Sequence, residues 1–289
     1  MTAKSQGNAK IVVNGAKDLA REAKASPWFD RMARLGYFTR GLLYGLIGCL
    51  AIQVIFNGHG ELTNREGVLS TIAAQPFGKL MLVIAVVGML GMLMWGIIRA
   101  IADPYHKGDG AKGVLARTGY LFSGISYGAL VVPTVQLITG NGYQVNASNE
   151  TAQQAAAGIL MTPWGAWLVG VIGGILIVVG ILNILQGVRD RLEERFKSYQ
   201  MSARQQRWAK RMGRIGRVAR GVVFIITGFL VILAAVTLDP QKISGIDGAL
   251  AFLASRPYGP WLLALVALGL IAYAIYSIMG ALWFRIKEQ

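Results

Sequence analysis

The stretch Trp28-Phe29-Asp30-Arg31-Met32-Ala33-Arg34-Leu35-Gly36 returns as Trp208-Ala209-Lys210-Arg211-Met212-Gly213-Arg214-Ile215-Gly216, with Trp, Arg, Met, Arg and Gly at matching offsets. A weaker copy, Ala116-Arg117-Thr118-Gly119-Tyr120, lies between them. Each copy runs directly into a long apolar segment. A basic, aromatic threshold before an apolar run is the pattern of a helix entering a bilayer, where arginines and tryptophans sit at headgroup level.

The wider composition agrees. Of 289 residues, 54% are hydrophobic and 15% charged, against about a quarter charged in soluble domains. Mean hydropathy is +0.48. Apolar runs of roughly twenty residues match a hydrocarbon core of about 30 Å. We read six spans, near residues 35–56, 77–101, 118–139, 164–187, 215–238 and 258–284. Pro133 falls inside the third and is expected to kink it. Cys49 lies in the first span, where a small buried residue is expected. The polar start of the chain carries no pattern of a removable signal peptide.

The formal net charge of +15 is a property of one side of the membrane. With the N-terminus in the cytoplasm, 25 of the 29 Lys and Arg residues fall on the cytoplasmic side. That bias predicts cytoplasmic N- and C-termini. It accounts for the basic character without a nucleic-acid partner.

Offsets within the chain define three units. Gly36, Gly119 and Gly216 mark the first helix of each, and Pro76, Pro163 and Pro257 open the second. Arg34, Arg117 and Arg214 stand two residues before each glycine; Gly41, Gly124 and Gly221 stand five after it. Tyr44, Tyr127 and Phe224 occupy a further shared position. The second helices begin Pro-Phe-Gly, Pro-Trp-Gly and Pro-Tyr-Gly. Two spans per unit give all three units one orientation, so they are parallel repeats about the membrane normal. The expected fold is an all-α membrane protein, a six-helix bundle with approximate threefold symmetry. Its expected organisation is a basic amphipathic arm (1–27), repeats over 28–104, 116–190 and 208–287, and a basic cytoplasmic helix over 188–212.

These motifs resemble a bacterial membrane family catalogued as a domain of unknown function, number 1206, built of three tandem two-helix units. The likeness runs from about Trp28 to Lys287. The middle unit departs most: Ser123 stands where the others have Arg40 and Arg220, and Ala111 where Trp would be. The resemblance implies the repeat architecture and a bacterial inner membrane; it carries no activity.

Chemistry-bearing residues are sparse. No carboxylate lies near the centre of a span, which argues against proton-coupled transport. His59 and His106 fall on opposite sides, so they cannot share a haem, and no Cys/His cluster suits a metal. We expect no enzyme, metal or cofactor. Arg34, Arg40, Arg117, Arg214 and Arg220 read either as anchors snorkelling to the interface or as a ring for an anionic lipid or anion. Gln53, Gln136, Asn183 and Gln186 read as amides bonding between helices or as a polar lining. Gly41, Gly45, Gly124, Gly128 and Gly221 read as close-packing faces. The function these features favour is a non-enzymatic membrane scaffold or a subunit binding a protein partner or lipid. The other reading is a channel or transporter for a small solute or ion along the pseudo-threefold axis.

Overall fold

A computed structural model describes residues 27–57, 65–102, 110–140, 147–189 and 201–283. The expected amphipathic arm, both histidines and the first half of the basic 188–212 segment lie outside the described residues.

Helices α1 (Pro27–Asn57), α2 (Arg65–Ala73), α3 (Gly78–Ala102), α4 (Ala111–Ala129), α5 (Val131–Thr139), α6 (Ala147–Leu160), α7 (Gly165–Arg189), α8 (Ala203–Thr237), α9 (Ile246–Ala254) and α10 (Gly259–Trp283) make up the described chain, with one short 3-10 turn at Pro240–Lys242. Six segments are long and apolar enough to cross a membrane: Arg34–Phe56, Gly78–Ile101, Arg117–Thr139, Gly165–Arg189, the helix Ala203–Thr237 and Gly259–Trp283.

The third span is two helices. The break falls at Leu130, whose N–H bonds back to the Tyr127 carbonyl at 3.2 Å. Pro133 has no N–H for a bond four residues back, and its ring crowds that carbonyl, so the helix yields one turn before it. Helix α8 begins with a capping box. The Ser202 hydroxyl accepts from the Gln205 N–H, and the Gln205 side chain accepts from the Ser202 N–H. At 35 residues α8 is about 52 Å long. It therefore carries the basic segment from 203 onward as an unbroken helical continuation of the fifth span.

Each unit has a further short helix before its second span: α2, α6 and α9. The apolar residues Val68, Leu69 and Ile72 of α2 are buried, as are Ala249, Leu250 and Leu253 of α9. The Asn- and Gln-rich stretch before Pro163 is α6 from Ala147 onward. Pro-aromatic-Gly is the turn that reverses the chain from short helix to long one. The second spans begin at the glycine, two residues after the proline. Phe77 and Tyr258 take left-handed backbones, φ 62° and 61°. At Gly165 a Cβ would sit 1.8 Å from the Ile159 carbonyl oxygen, and at Gly259 2.0 Å from that of Ala254. No side chain fits there.

The spans pack as an arc in the order α7, α8, α10, α1, α3, then α4 with α5. Glycines set the close approaches. A Cβ at Gly41 would meet Ile278 at 2.7 Å, and one at Gly124 would meet the Gly96 Cα at 3.1 Å. A Cβ at Gly221 would lie 2.6 Å from the Gly180 carbonyl oxygen. Gly45 faces Ala274, and Gly128 faces the Leu93 side chain. All five glycines read as packing residues thus stand at helix contacts. The arc does not close among the described residues: α4 and α5 are not packed along α7. Spans three and four are correspondingly the least covered, 28% and 17% buried against 44–56% for the other four. Cys49 corrects an expectation: it is exposed on the outside of α1.

Candidate functional site

The offsets that define the repeats also assemble the interior. One, four and eight residues after the marker glycine stand Tyr37, Arg40 and Tyr44 on α1. The matching sets are Tyr120, Ser123 and Tyr127 on α4, and Arg217, Arg220 and Phe224 on α8. Spacings of three and four put each set on one helix face.

Arg40 and Arg220 meet at Tyr273 of α10. The Arg40 Nε donates to the Tyr127 hydroxyl at 3.0 Å, and its Nη1 to the Tyr273 hydroxyl at 3.5 Å. Its Nη2 faces the Met92 sulfur at 3.8 Å. The Arg220 Nη1 donates to the same Tyr273 hydroxyl at 2.6 Å. Aromatic faces complete the cage. Arg40 lies 5.2 Å from the Tyr37 ring centre and 5.1 Å from that of Tyr127. Arg220 lies 5.5, 5.1 and 5.2 Å from the rings of Tyr44, Phe224 and Tyr273. Tyr44 packs edge-on against Tyr273 at 5.0 Å.

Arg40 is 8% exposed. A snorkelling arginine would carry its head out to the interface; this one turns inward onto hydroxyls, which corrects the anchor reading for that residue. Neither Arg40 nor Arg220 has an acidic partner among the described residues. Sharing one acceptor oxygen holds the two Nη1 atoms no more than about 6 Å apart. Guanidinium stays charged in proteins. Two unit charges at ~6 Å repel by about 3 kcal/mol at an effective dielectric of ~20. The Arg220 Nε is cut off from solvent and has no hydrogen-bond acceptor.

Two further arginines are buried elsewhere in the bundle, and the repeat offsets alone do not single them out. Arg99 is buried, 5.2 Å from the Trp95 ring and 4.5 Å from that of Tyr120. Arg217 is buried beneath Tyr276; it donates to the Gly213 carbonyl at 3.0 Å and the Gln186 carbonyl at 2.9 Å. Tyr273 was equally silent in sequence. It occupies the position of Met92 and Val179, sixteen residues after each proline, and only the crossing of α10 with α8 and α1 brings it inside.

The remaining candidates separate from this centre. Arg34 donates to the Leu282 carbonyl at 3.2 Å, tying the start of the first span to the end of the sixth. Arg117 is half-buried and Arg214 exposed. Gln53 and Gln136 are exposed. Asn183 donates to the Val179 carbonyl of its own helix at 2.8 Å. Gln186 is exposed, and its backbone carbonyl accepts from Arg217. No group of acidic, histidine or cysteine side chains among the described residues could hold a metal. Outside the bundle, Arg204, Arg207, Trp208 and Arg211 line an open cleft of about 220 Å³ at the basic end of α8.

Comparison with known proteins fits the three-unit plan. The model of the Domain of Unknown Function (DUF1206) matches residues 35–103, 118–190 and 215–283, one segment per unit. The chain belongs to this family. Each matched segment spans one unit of a long helix, a short helix and a second long helix. The chain is also similar to the uncharacterized protein YxxB of Bacillus subtilis (strain 168). The two are 34% identical over 261 residues, covering 90% of this chain and 93% of that protein. No solved structure matches. This DUF1206 chain is accordingly a membrane protein, all-helical among the described residues, with three tandem repeats and a bacterial relative.

Proposed function

We propose that this DUF1206 protein is a non-enzymatic membrane scaffold with no through-path along its centre, engaging anionic lipid on its basic side. The filled centre of the bundle carries this reading. Leu43, Tyr44, Ile47, Met89, Met92 and Tyr127 are each 1% exposed or less. Side chains occupy the volume that a water-filled path would need, and interiors packed in this way leave few voids larger than water.

Three parallel units around an axis along the membrane normal form the frame. Equivalent contacts support it: Gly41 against the Ala274 and Ile278 turn, Gly124 against Leu93 and Gly96, and Gly221 against Gly180 and Ile184. Each joins the first helix of one unit to the second helix of the unit before it. The cationic bias orients the protein with both termini in the cytoplasm of a bacterial inner membrane. On that side Arg204, Arg207 and Arg211 flank Trp208 along one exposed helix face. Arginine forks with an aromatic at headgroup depth suit lipid phosphates.

A second reading, an anion pathway, draws on the Arg40–Arg220 pair. Proteoliposomes loaded with a halide-quenched dye separate the two. A scaffold gives flux equal to that of empty vesicles; halide entry proportional to protein content overturns it. In parallel, mass spectrometry of the purified protein should find anionic phospholipid enriched over its share of the membrane. Changing Arg204, Arg207 and Arg211 to Gln should lower that enrichment, and unchanged lipid would refute the lipid role of this face.

A further inference from the structure

We propose that the Arg40–Arg220 pair is a binding site for a single phosphate-type oxyanion inside the bundle, with Ser123 as its third wall. Two permanent cations share one neutral acceptor, Tyr273, and neither has a carboxylate among the described residues. The Arg220 Nε, shut off from solvent with no acceptor, marks a donor left over after the tyrosines are served. Guanidinium groups present N–H forks matched to tetrahedral and planar oxyanions, and a dianion between them reverses the repulsion.

The third equivalent position is where such a group would gain room. Ser123 shares a helix face with Tyr127 one turn further on, and Tyr127 reaches Arg40. A serine in place of a third arginine removes a long side chain from this level and leaves a hydroxyl. The same unit has the unsealed seam. Gly119 has nothing within 4 Å of its Cβ position, and Ser123 is only half-buried. Within this proposal a ligand would approach laterally, between spans three and four. The site lies six residues inside Arg34, about 9 Å along the helix, within reach of the basic surface. The phosphate could be a free ion or a lipid headgroup drawn in through the seam, and the two are separable by experiment.

The test uses the full chain in neutral detergent, stripped of phosphate and sulfate. Equilibrium dialysis with radiolabelled inorganic phosphate should show saturable binding of one ion per chain. Arg40→Gln or Arg220→Gln should weaken it roughly 10- to 100-fold, the loss of one set of charge-assisted bonds. Arg34→Gln should leave it unchanged. Without phosphate, Arg220→Met should raise the thermal midpoint by relieving repulsion; with phosphate the wild type should be the more stable. That reversal is read only on folded protein, so a variant that fails to fold is replaced by Arg40→Met for the same crossover. Competition identifies the source. Displacement of the label by dihexanoyl phosphatidic acid, with inorganic phosphate binding only weakly, assigns a headgroup site. Equal competition by glycerol phosphate assigns a free-anion site. No saturable binding of either probe, or binding that survives Arg40→Gln with Arg220→Gln, overturns the proposal.

Discussion

The first and third units close where the second stays open, and three positions account for the difference. Gly36 and Gly216 are pressed against the second helix of their own unit. A Cβ at Gly36 would lie 2.8 Å from the Gly88 carbonyl oxygen, and one at Gly216 2.4 Å from the Tyr273 Cα. Gly119, their counterpart, touches nothing. Twelve residues after the proline the closed units have Gly88 and Gly269, set against the small residues Thr39 and Ala219. The middle unit has Ile175 and Phe122 in those places, both more than half exposed. Bulk at a site where two helices must nearly touch keeps them apart. In a bilayer this costs little, because lipid covers an isoleucine as well as protein does.

Substitutions in detergent-solubilised protein should break this contrast in a graded way. The largest effect is expected for Gly216→Ala, whose methyl meets backbone; overpacking of that kind costs about 1–3 kcal/mol or more, read as a lowered unfolding midpoint. Ala219→Leu should follow at ~1–3 kcal/mol, since the Gly269 Cβ position is only 2.2 Å from the Ala219 methyl. Tyr127→Phe removes the acceptor of the Arg40 Nε and should cost about 1–3 kcal/mol, towards the lower end because the ring contact survives. Smallest is the open seam. Gly119→Ala should be neutral or stabilising by up to ~1 kcal/mol through helix propensity. Phe122→Ala should stay within about 0.5 kcal/mol. A loss at Gly119 or Phe122 equal to that at Gly216 or Ala219 would erase the distinction between the units.

Much of this frame was readable from residue order. Six apolar runs, the recurring threshold and the packing glycines follow from length, period and offset. Even the seam has a sequence signature in Phe122 and Ile175, although only the structure says which face each occupies. Other features depend on forces outside any local pattern. Helix α6 is hidden by its Asn, Gln and Ala content. It docks through polar bonds, Asn149 donating to Asp247 at 2.7 Å and Gln153 to the Ile243 carbonyl at 2.9 Å. The left-handed Phe77 and Tyr258 defeat propensity because the following glycine must meet a carbonyl. Arg40 sits at a depth where snorkelling is the local expectation. Its inward turn depends on hydroxyls from α4 and α10, residues 87 and 233 positions away. Gln53 and Gln136 matched in offset, yet the helices present them outward.

The asymmetry of the seams is most directly tested by disulfide trapping in native membranes, in a Cys49→Ser background. Three equivalent pairs are compared: Gly36→Cys with Met92→Cys, Gly119→Cys with Val179→Cys, and Gly216→Cys with Tyr273→Cys. A disulfide needs Cβ atoms roughly 3.5–4.5 Å apart. A Cβ at Gly216 would lie 2.6 Å from the Tyr273 Cβ and one at Gly36 2.5 Å from the Met92 Cγ, so both seams are at least as close as a disulfide needs. Closed outer units and an open middle one predict rapid cross-linking of the Gly36–Met92 pair under mild oxidant, and none of the Gly119–Val179 pair. Cross-linking of Gly119–Val179 at a comparable rate would contradict the open seam and, with it, the lateral approach to Arg40 and Arg220.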